Sequence, residues 1–361
     1  MANNLLLLIL IKLIKKLREL TIIKPDDWHL HLREGIVLKN IINFSSNIFC
    51  RAIIMPNTKY PITSIERAIS YKNLIFESLS KNSKFNPLMT IYLTDDISKN
   101  ELNLGFSENI FFAAKLYPEN ATTNSSYGVR NIKSLYNVFE LMEEINMPLL
   151  IHGEVNDSNV DIFDREEVFI DRELIPIVNY FPKLKIVLEH ITTSYAVNFV
   201  RENNIGATIT PHHLHINRNA MFFGGLNSDF YCLPVAKREA NRVALIKAAT
   251  GGEECFFLGT DSAPHLRQWK AFCGCAGIFN APVAIPSYLS IFEEENALDN
   301  FEKFASLNGP KFHNLPPNSE KITFVREENL VPEFIMIKDE NEVKGKIKSF
   351  HAGELLNWKL K

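Results

Sequence analysis

Eight short apolar runs punctuate this chain, and no other feature restricts its folding as much. The first covers residues 21–23 and leads into Asp27-Trp28-His29-Leu30-His31. The others lie at 52–55, 89–93, 111–116, 148–152, 185–190, 206–210 and 255–261. Several are apolar throughout rather than alternating, the pattern of parallel strands covered on both faces. Stretches with helical spacing fill most of the gaps, at 64–80, 131–145, 164–180, 194–202 and 237–250. Such alternation predicts an α/β fold, a (β/α)8 TIM-like barrel. Residues 211–234 predict a long irregular loop, which in a compact domain usually serves function. Beyond the eighth run, helices at 281–295 and 300–307 and short strands from Lys321 onward predict a short appended C-terminal segment. Residues 21–361 therefore read as a single barrel domain, preceded by an N-terminal extension over 1–20.

The composition excludes several classes. Net charge is −3, with acids and bases dispersed. That is not the clustered basic footprint of a nucleic-acid binder. Leu5 to Ile11 are seven consecutive aliphatics, far short of the roughly 20 that span a bilayer, so no membrane partner is expected and the segment reads as an added helix or extension. Five cysteines, Cys50, Cys232, Cys255, Cys273 and Cys275, form no paired framework. They read as reduced thiols of a cytoplasmic protein. Cys273-Gly-Cys275 lacks the second pair that a zinc ribbon needs and reads as structural.

Metal-competent residues fall where the barrel would need them. His29 and His31, two apart on a strand, face one side. His152 closes the fifth run, His190 the sixth and Asp261 the eighth, and Lys115 lies near the end of the fourth. Barrel enzymes build active sites at these C-terminal strand ends. The chain has ten histidines, and four of them occupy such positions. Imidazoles with a carboxylate suit zinc or another divalent first-row metal, and the number of groups exceeds one tetrahedral site, which points to two metals. Read singly, each has a plainer role. His29 and His31 could be a satisfied core pair, Asp261 a helix cap, and Lys115 a salt-bridged lysine, since an ammonium cannot ligate a metal.

His29-Leu-His31-Leu-Arg33 resembles the opening signature of the amidohydrolase superfamily. Pro25-Asp-Asp-Trp-His-Leu-His-Leu-Arg33 is similar to the bacterial monofunctional dihydroorotases in particular. The likeness continues through Met55-Pro-Asn57, Ala114-Lys-Leu-Tyr-Pro118, Asn120-Ala-Thr-Thr-Asn-Ser125, His152-Gly-Glu154, Glu189-His-Ile-Thr-Thr193, Tyr231-Cys-Leu-Pro234, Gly259-Thr-Asp-Ser-Ala-Pro-His265 and Cys273-Gly-Cys-Ala-Gly277. These segments span roughly residues 21–310. Features outside the pattern are the N-terminal extension, the extra imidazoles His212 and His215, and a segment one residue short between His265 and Cys273.

The resemblance implies a barrel of the metallo-dependent hydrolase type and a reaction. N-carbamoyl-L-aspartate would be cyclised reversibly to (S)-dihydroorotate, a step of de novo pyrimidine (UMP) biosynthesis. It implies two Zn2+ per chain, bridged by N6-carboxylated Lys115. His29, His31 and Asp261 would hold one ion and His152 and His190 the other. A metal-bridging hydroxide would attack, with Asp261 as general acid/base. Arg33, Asn57 and His265 would bind the substrate's carboxylate, as the bidentate donors of arginine suit. Leu233 and Ala276 would orient the ring, and Thr122 and Thr123 would sit on a closing loop. The resemblance also implies a homodimer. A hydantoinase or allantoinase would share the metal site, but its neutral ring would not need Arg33, Asn57 and His265. A catalytically dead homologue would have lost a ligand, and every ligand position here is filled.

Overall fold

The computed structural model describes residues 18–340 and 342–361. The reading of the N-terminal extension therefore falls mostly outside the described residues. Eight parallel strands form the central sheet, in sequence order: β2 (Asp27–Leu30), β3 (Arg51–Ile54), β4 (Asn86–Tyr92), β5 (Ala113–Leu116), β6 (Leu149–His152), β7 (Ile186–Glu189), β8 (Gly206–Ile209) and β9 (Phe256–Leu258). The sheet closes where the chain leaves β9. Asp261 N donates to His29 O at 2.9 Å, His31 N donates to Ser262 O at 3.2 Å, and Leu30 bridges Ser262. The (β/α)8 barrel expected from the apolar runs is thus the observed architecture.

One run went elsewhere. Residues 21–23 belong to β1 (Glu19–Ile23), which pairs antiparallel with β10 (Lys321–Leu330), itself paired with β13 (Leu355–Leu360). Pro25 separates β1 from β2; it has no N–H to donate and interrupts strand pairing. A hairpin of β11 (Phe334–Asp339) and β12 (Glu342–Lys348) completes the appended segment. Its two faces are only partly covered, hence the weak alternation in the sequence.

Helices cover the outside. Ile65–Ser78 starts where Ser64 accepts from Arg67 N, a serine N-cap. The stretch read as one helix over 164–180 is helical but holds a π turn at Ile170–Leu174. Helices at Gly35–Ser46 and Lys99–Ser107 were not anticipated. The first is apolar through much of its surface, because it is overlaid by β11. The loop over 211–234 holds a helix at Pro211–His215 and 3-10 turns at Arg218–Met221 and Ser228–Phe230.

Period-two alternation stacks the lumen in layers. Ile53, Ala113, Leu150, Val187 and Phe257 pack with Trp28 as a buried apolar plug. Two residues further along, the same inward direction carries Lys115, His152 and Glu189, all buried. The apolar layer is a floor, and the layer above it is chemical. Gly259 stands between them at the seam, where a Cβ would lie 2.7 Å from Thr208 Cβ and 3.2 Å from His29 Cβ. Only a hydrogen side chain lets β9 approach that closely.

Candidate active site

Two clusters of ligand-type atoms sit above the floor. In the first, His29 Nε2 and His31 Nε2 are 3.2 Å apart, and Asp261 Oδ1 lies 3.3 Å from one and 3.1 Å from the other. In the second, His152 Nδ1 and His190 Nε2 are 3.3 Å apart. A tetrahedral ion with bonds of about 2.05 Å holds neighbouring ligand atoms about 3.3 Å apart. Both clusters match that edge length. The described residues thus hold groups able to bind metal ions, among them His29, His31 and Asp261.

A strand alone could not have built this site. Glu189 and His190 are consecutive, and regular alternation would send them to opposite faces. The backbone turns left-handed at His190 (φ 43°), and again at Asp261 (φ 44°) and Arg33 (φ 58°). Non-glycine residues rarely adopt this conformation, and at a functional site it signals imposed geometry. It brings both Glu189 and His190 to the lumen.

Carboxylates orient the imidazoles. Glu189 Oε1 lies 2.9 Å from His29 Nδ1, an electrostatic contact without hydrogen-bond alignment, while Nε2 is toward Asp261. Glu154 Oε2 is 2.9 Å from His152 Nε2, leaving Nδ1 toward His190. Such partners fix tautomer and ring direction at metal sites. Glu154 was not singled out from the sequence, although it sits two residues after His152 and so on the same side. Lys115, wholly buried, pairs with the other oxygen of Glu189. Burial pulls its ammonium below the ordinary lysine range, against Glu189 and Asp261.

Burial and the neighbouring carboxylates pull these groups in opposite directions. Burial would discharge His29, yet Glu189 and Asp261 outweigh it and hold that imidazolium up to about 9. Burial would also protonate Asp261, but His29 and His31 keep its carboxyl well below the usual range. Burial drives His31 down to about 4 and His190 well below 6.5. The His190 Nδ1 atom is buried with no hydrogen-bond partner among the described residues.

Above the clusters a small cavity is lined by Arg33, Asn57, Thr122, Thr123, Leu233 and Ala276, together with the four histidines and Asp261. Arg33 Nη2 lies 3.1 Å from His265 Nε2, and Arg33 Nε donates to Pro264 O at 3.0 Å. Asn57 Nδ2 donates to Thr123 O at 2.9 Å, and Thr123 Oγ1 donates to Ala276 O at 3.1 Å. The 121–125 loop is therefore tied down across the mouth. Every residue singled out from the sequence stands at this cavity, directly beneath it (Lys115) or on its wall (His265). Tyr117, not singled out, also lines it.

Comparison with known proteins agrees with this geometry. The model of the amidohydrolase family matches residues 21–331. The dihydroorotase of Synechococcus sp. (strain CC9902) is 55% identical over 345 residues, 95% of this chain and 98% of that protein. The Saccharomyces cerevisiae dihydroorotase, solved with 5-fluoroorotic acid, superposes with a TM-score of 0.86 at 33% identity. The match covers 95% of this chain and 98% of that one. The Campylobacter jejuni dihydroorotase gives 0.86 at 35% identity, over 95% and 97%. The chain belongs to the amidohydrolase family and, within it, to the dihydroorotases, hydrolases that act on a cyclic amide.

Proposed function

We propose that the chain interconverts N-carbamoyl-L-aspartate and (S)-dihydroorotate, the ring-closing step of pyrimidine synthesis, with two zinc ions per chain and Lys115 carboxylated on Nζ. The observation that carries this reading is the pair of ligand clusters at tetrahedral edge length beneath a cavity with an arginine–histidine wall. His29, His31 and Asp261 would hold one ion, and His152 and His190 the other. The depressed basicity of Lys115 raises the share of neutral amine, the form that adds CO2 and releases a proton to become an anionic ligand. Bound there, the metals would lower the pKa of water and polarise the attacked carbonyl.

The chain's own groups do the rest. Arg33, Asn57 and His265 would grip the substrate carboxylate. The Asn57 Oδ1 atom is buried without a partner among the described residues, and the Arg33 guanidinium faces the cavity. This wall favours an acidic ring over the neutral ring of a hydantoin. Leu233 and Ala276 flank the ring, and Thr122 and Thr123 exclude water. In hydrolysis, water adds to the ring amide carbon and the carbon–nitrogen bond breaks. Asp261 takes the proton from water and delivers it to the departing nitrogen. Cyclisation is the reverse. A homodimer and a cytoplasmic location belong to the same reading; exposed Phe222, Phe223 and Leu226 form the kind of apolar surface a second copy would cover.

Metal content and dihydroorotate hydrolysis, followed by loss of ring absorbance on one purified sample, test this. Two zincs with chelator-sensitive turnover are expected. Metal without turnover of this ring would reject the substrate, and turnover unaffected by chelation would reject the metals.

A further inference from the structure

A second cavity, of about 160 Å³, lies behind the His265–Gly277 wall, between the helix Arg267–Cys273 and residues 347–354. It is built from polar groups whose bonding is incomplete. Lys270 is 7% exposed, and its ammonium donates to two carbonyls, Tyr231 O at 2.8 Å and Cys275 O at 3.2 Å. An ammonium has three donors, so one remains. No carboxylate among the described residues comes within ion-pair distance of it. Ser349 is 4% exposed, and its hydroxyl has no partner among the described residues; His351 Nε2 has none either. Arg267 and Lys348 share a single carboxylate, that of Asp229, at 2.7 and 3.1 Å. Glu354 is occupied by His351 Nδ1 at 2.5 Å. Three cations thus line a cavity against two carboxylates, Asp229 and the exposed Glu354, whose partner His351 is held neutral by burial; one positive charge is left over, beside an orphaned hydroxyl.

We propose that this cavity is a binding site for a small dianion, a phosphate or dicarboxylate group, seated on the free donor of Lys270, the Ser349 hydroxyl and the Arg267–Lys348 pair. Charge-assisted hydrogen bonds of this kind are the strong ones, and an anion would supply the charge that Asp229 and Glu354 together leave unbalanced. The site is coupled to the cavity above the metal ligands. The two carbonyls that hold Lys270 belong to the loops carrying Leu233 and Ala276; Gly277 lines both spaces, and His265, in the lining of this one, lies against Arg33 of the other.

Titration calorimetry of the metal-loaded protein, with inorganic phosphate and malonate as separate arms, tests the proposal. One anion per chain is expected, with a Kd of about 1 mM or below. Ser349→Ala with Lys348→Met should weaken it about tenfold or more, and Ser349→Ala alone should weaken it less. Asp229→Asn, which frees Arg267 and Lys348, should tighten it several-fold, a gain that misfolding cannot produce. Arg33→Met, in the other cavity, should leave the affinity unchanged. No heat from either anion up to about 10 mM overturns the proposal. So does binding that ignores Asp229→Asn and Ser349→Ala, or binding lost with Arg33→Met.

Discussion

Glu166 offers a sharp test of how this fold holds its ligands. The residue is 1% exposed, and its carboxylate accepts from Thr192 N at 2.9 Å, Thr192 Oγ1 at 2.8 Å, Thr193 N at 2.8 Å and Thr193 Oγ1 at 2.6 Å. These two threonines lie two and three residues beyond the turn at His190. Glu166→Ala orphans two buried backbone donors at about 1–3 kcal/mol each, the hydroxyls being free to re-pair. The expected loss is about 4 kcal/mol. At roughly 2.1 cal/mol/K per residue, a chain of 361 residues has an unfolding entropy of about 0.76 kcal/mol/K, so the midpoint falls by about 5 °C. Glu166→Gln keeps one acceptor oxygen and turns an NH2 toward the Thr192 amide, for about half that loss. Scanning calorimetry of both variants reads the midpoint, and zinc competition with a chelator reads the His190 side of the site. A Glu166→Ala midpoint within about 1 °C of the parent, with metal affinity intact, would refute the idea that this carboxylate clamps the His190 turn.

Burial depresses His213 to about 4 and His215 and His313 to about 3. Their folded values lie below the ordinary 6.5, so the unfolded chain binds more protons. Their contribution is complete above pH 6.5 and is lost as pH falls toward 3. His313 stacks on Trp28 at 4.6 Å with neither nitrogen paired among the described residues. His313→Phe should raise urea stability at pH 5.5 and flatten its pH slope there by about 1.2 kcal/mol per pH unit, one proton's worth; an unchanged slope would contradict the assignment. Lys115→Ala should lower bound metal and turnover at least about a hundredfold, with partial rescue by bicarbonate or small carboxylic acids; full activity would rule out the carboxylated-lysine reading. Arg33→Met should raise KM for dihydroorotate by roughly 30-fold or more, from about 2 kcal/mol of lost carboxylate pairing, with metal content unchanged by elemental analysis. Exhaustive chelation should lower the thermal midpoint, since metal binds the folded state alone; a midpoint indifferent to metal would count against the ligand set.

The barrel was legible because its strands are apolar on both faces, and the ligands because they end those strands. What stayed hidden depends on contacts distant in sequence. Residues 21–23 look like a barrel strand until β10 claims them. Alternation on β7 points to Glu189 or His190, not both, and no local signal announces the left-handed turn that recruits the second. Glu154 was within reach of a same-face argument from His152. Glu166 was not, since its partners lie 26 and 27 residues away. Lys270 is unremarkable in sequence; only folding sets its ammonium against the carbonyls of two separate loops.

The seam of the barrel has a consequence for how the protein is made. Asp261 N and His29 O, which close the sheet, belong to residues of the same ligand cluster. The first two histidines leave the ribosome early and the aspartate late. During synthesis the nascent chain can offer a metal scattered imidazoles, but not the finished cluster. Closing the last stave and completing the ion's cage are one event, so faithful loading waits until the eighth barrel strand and Asp261 have emerged.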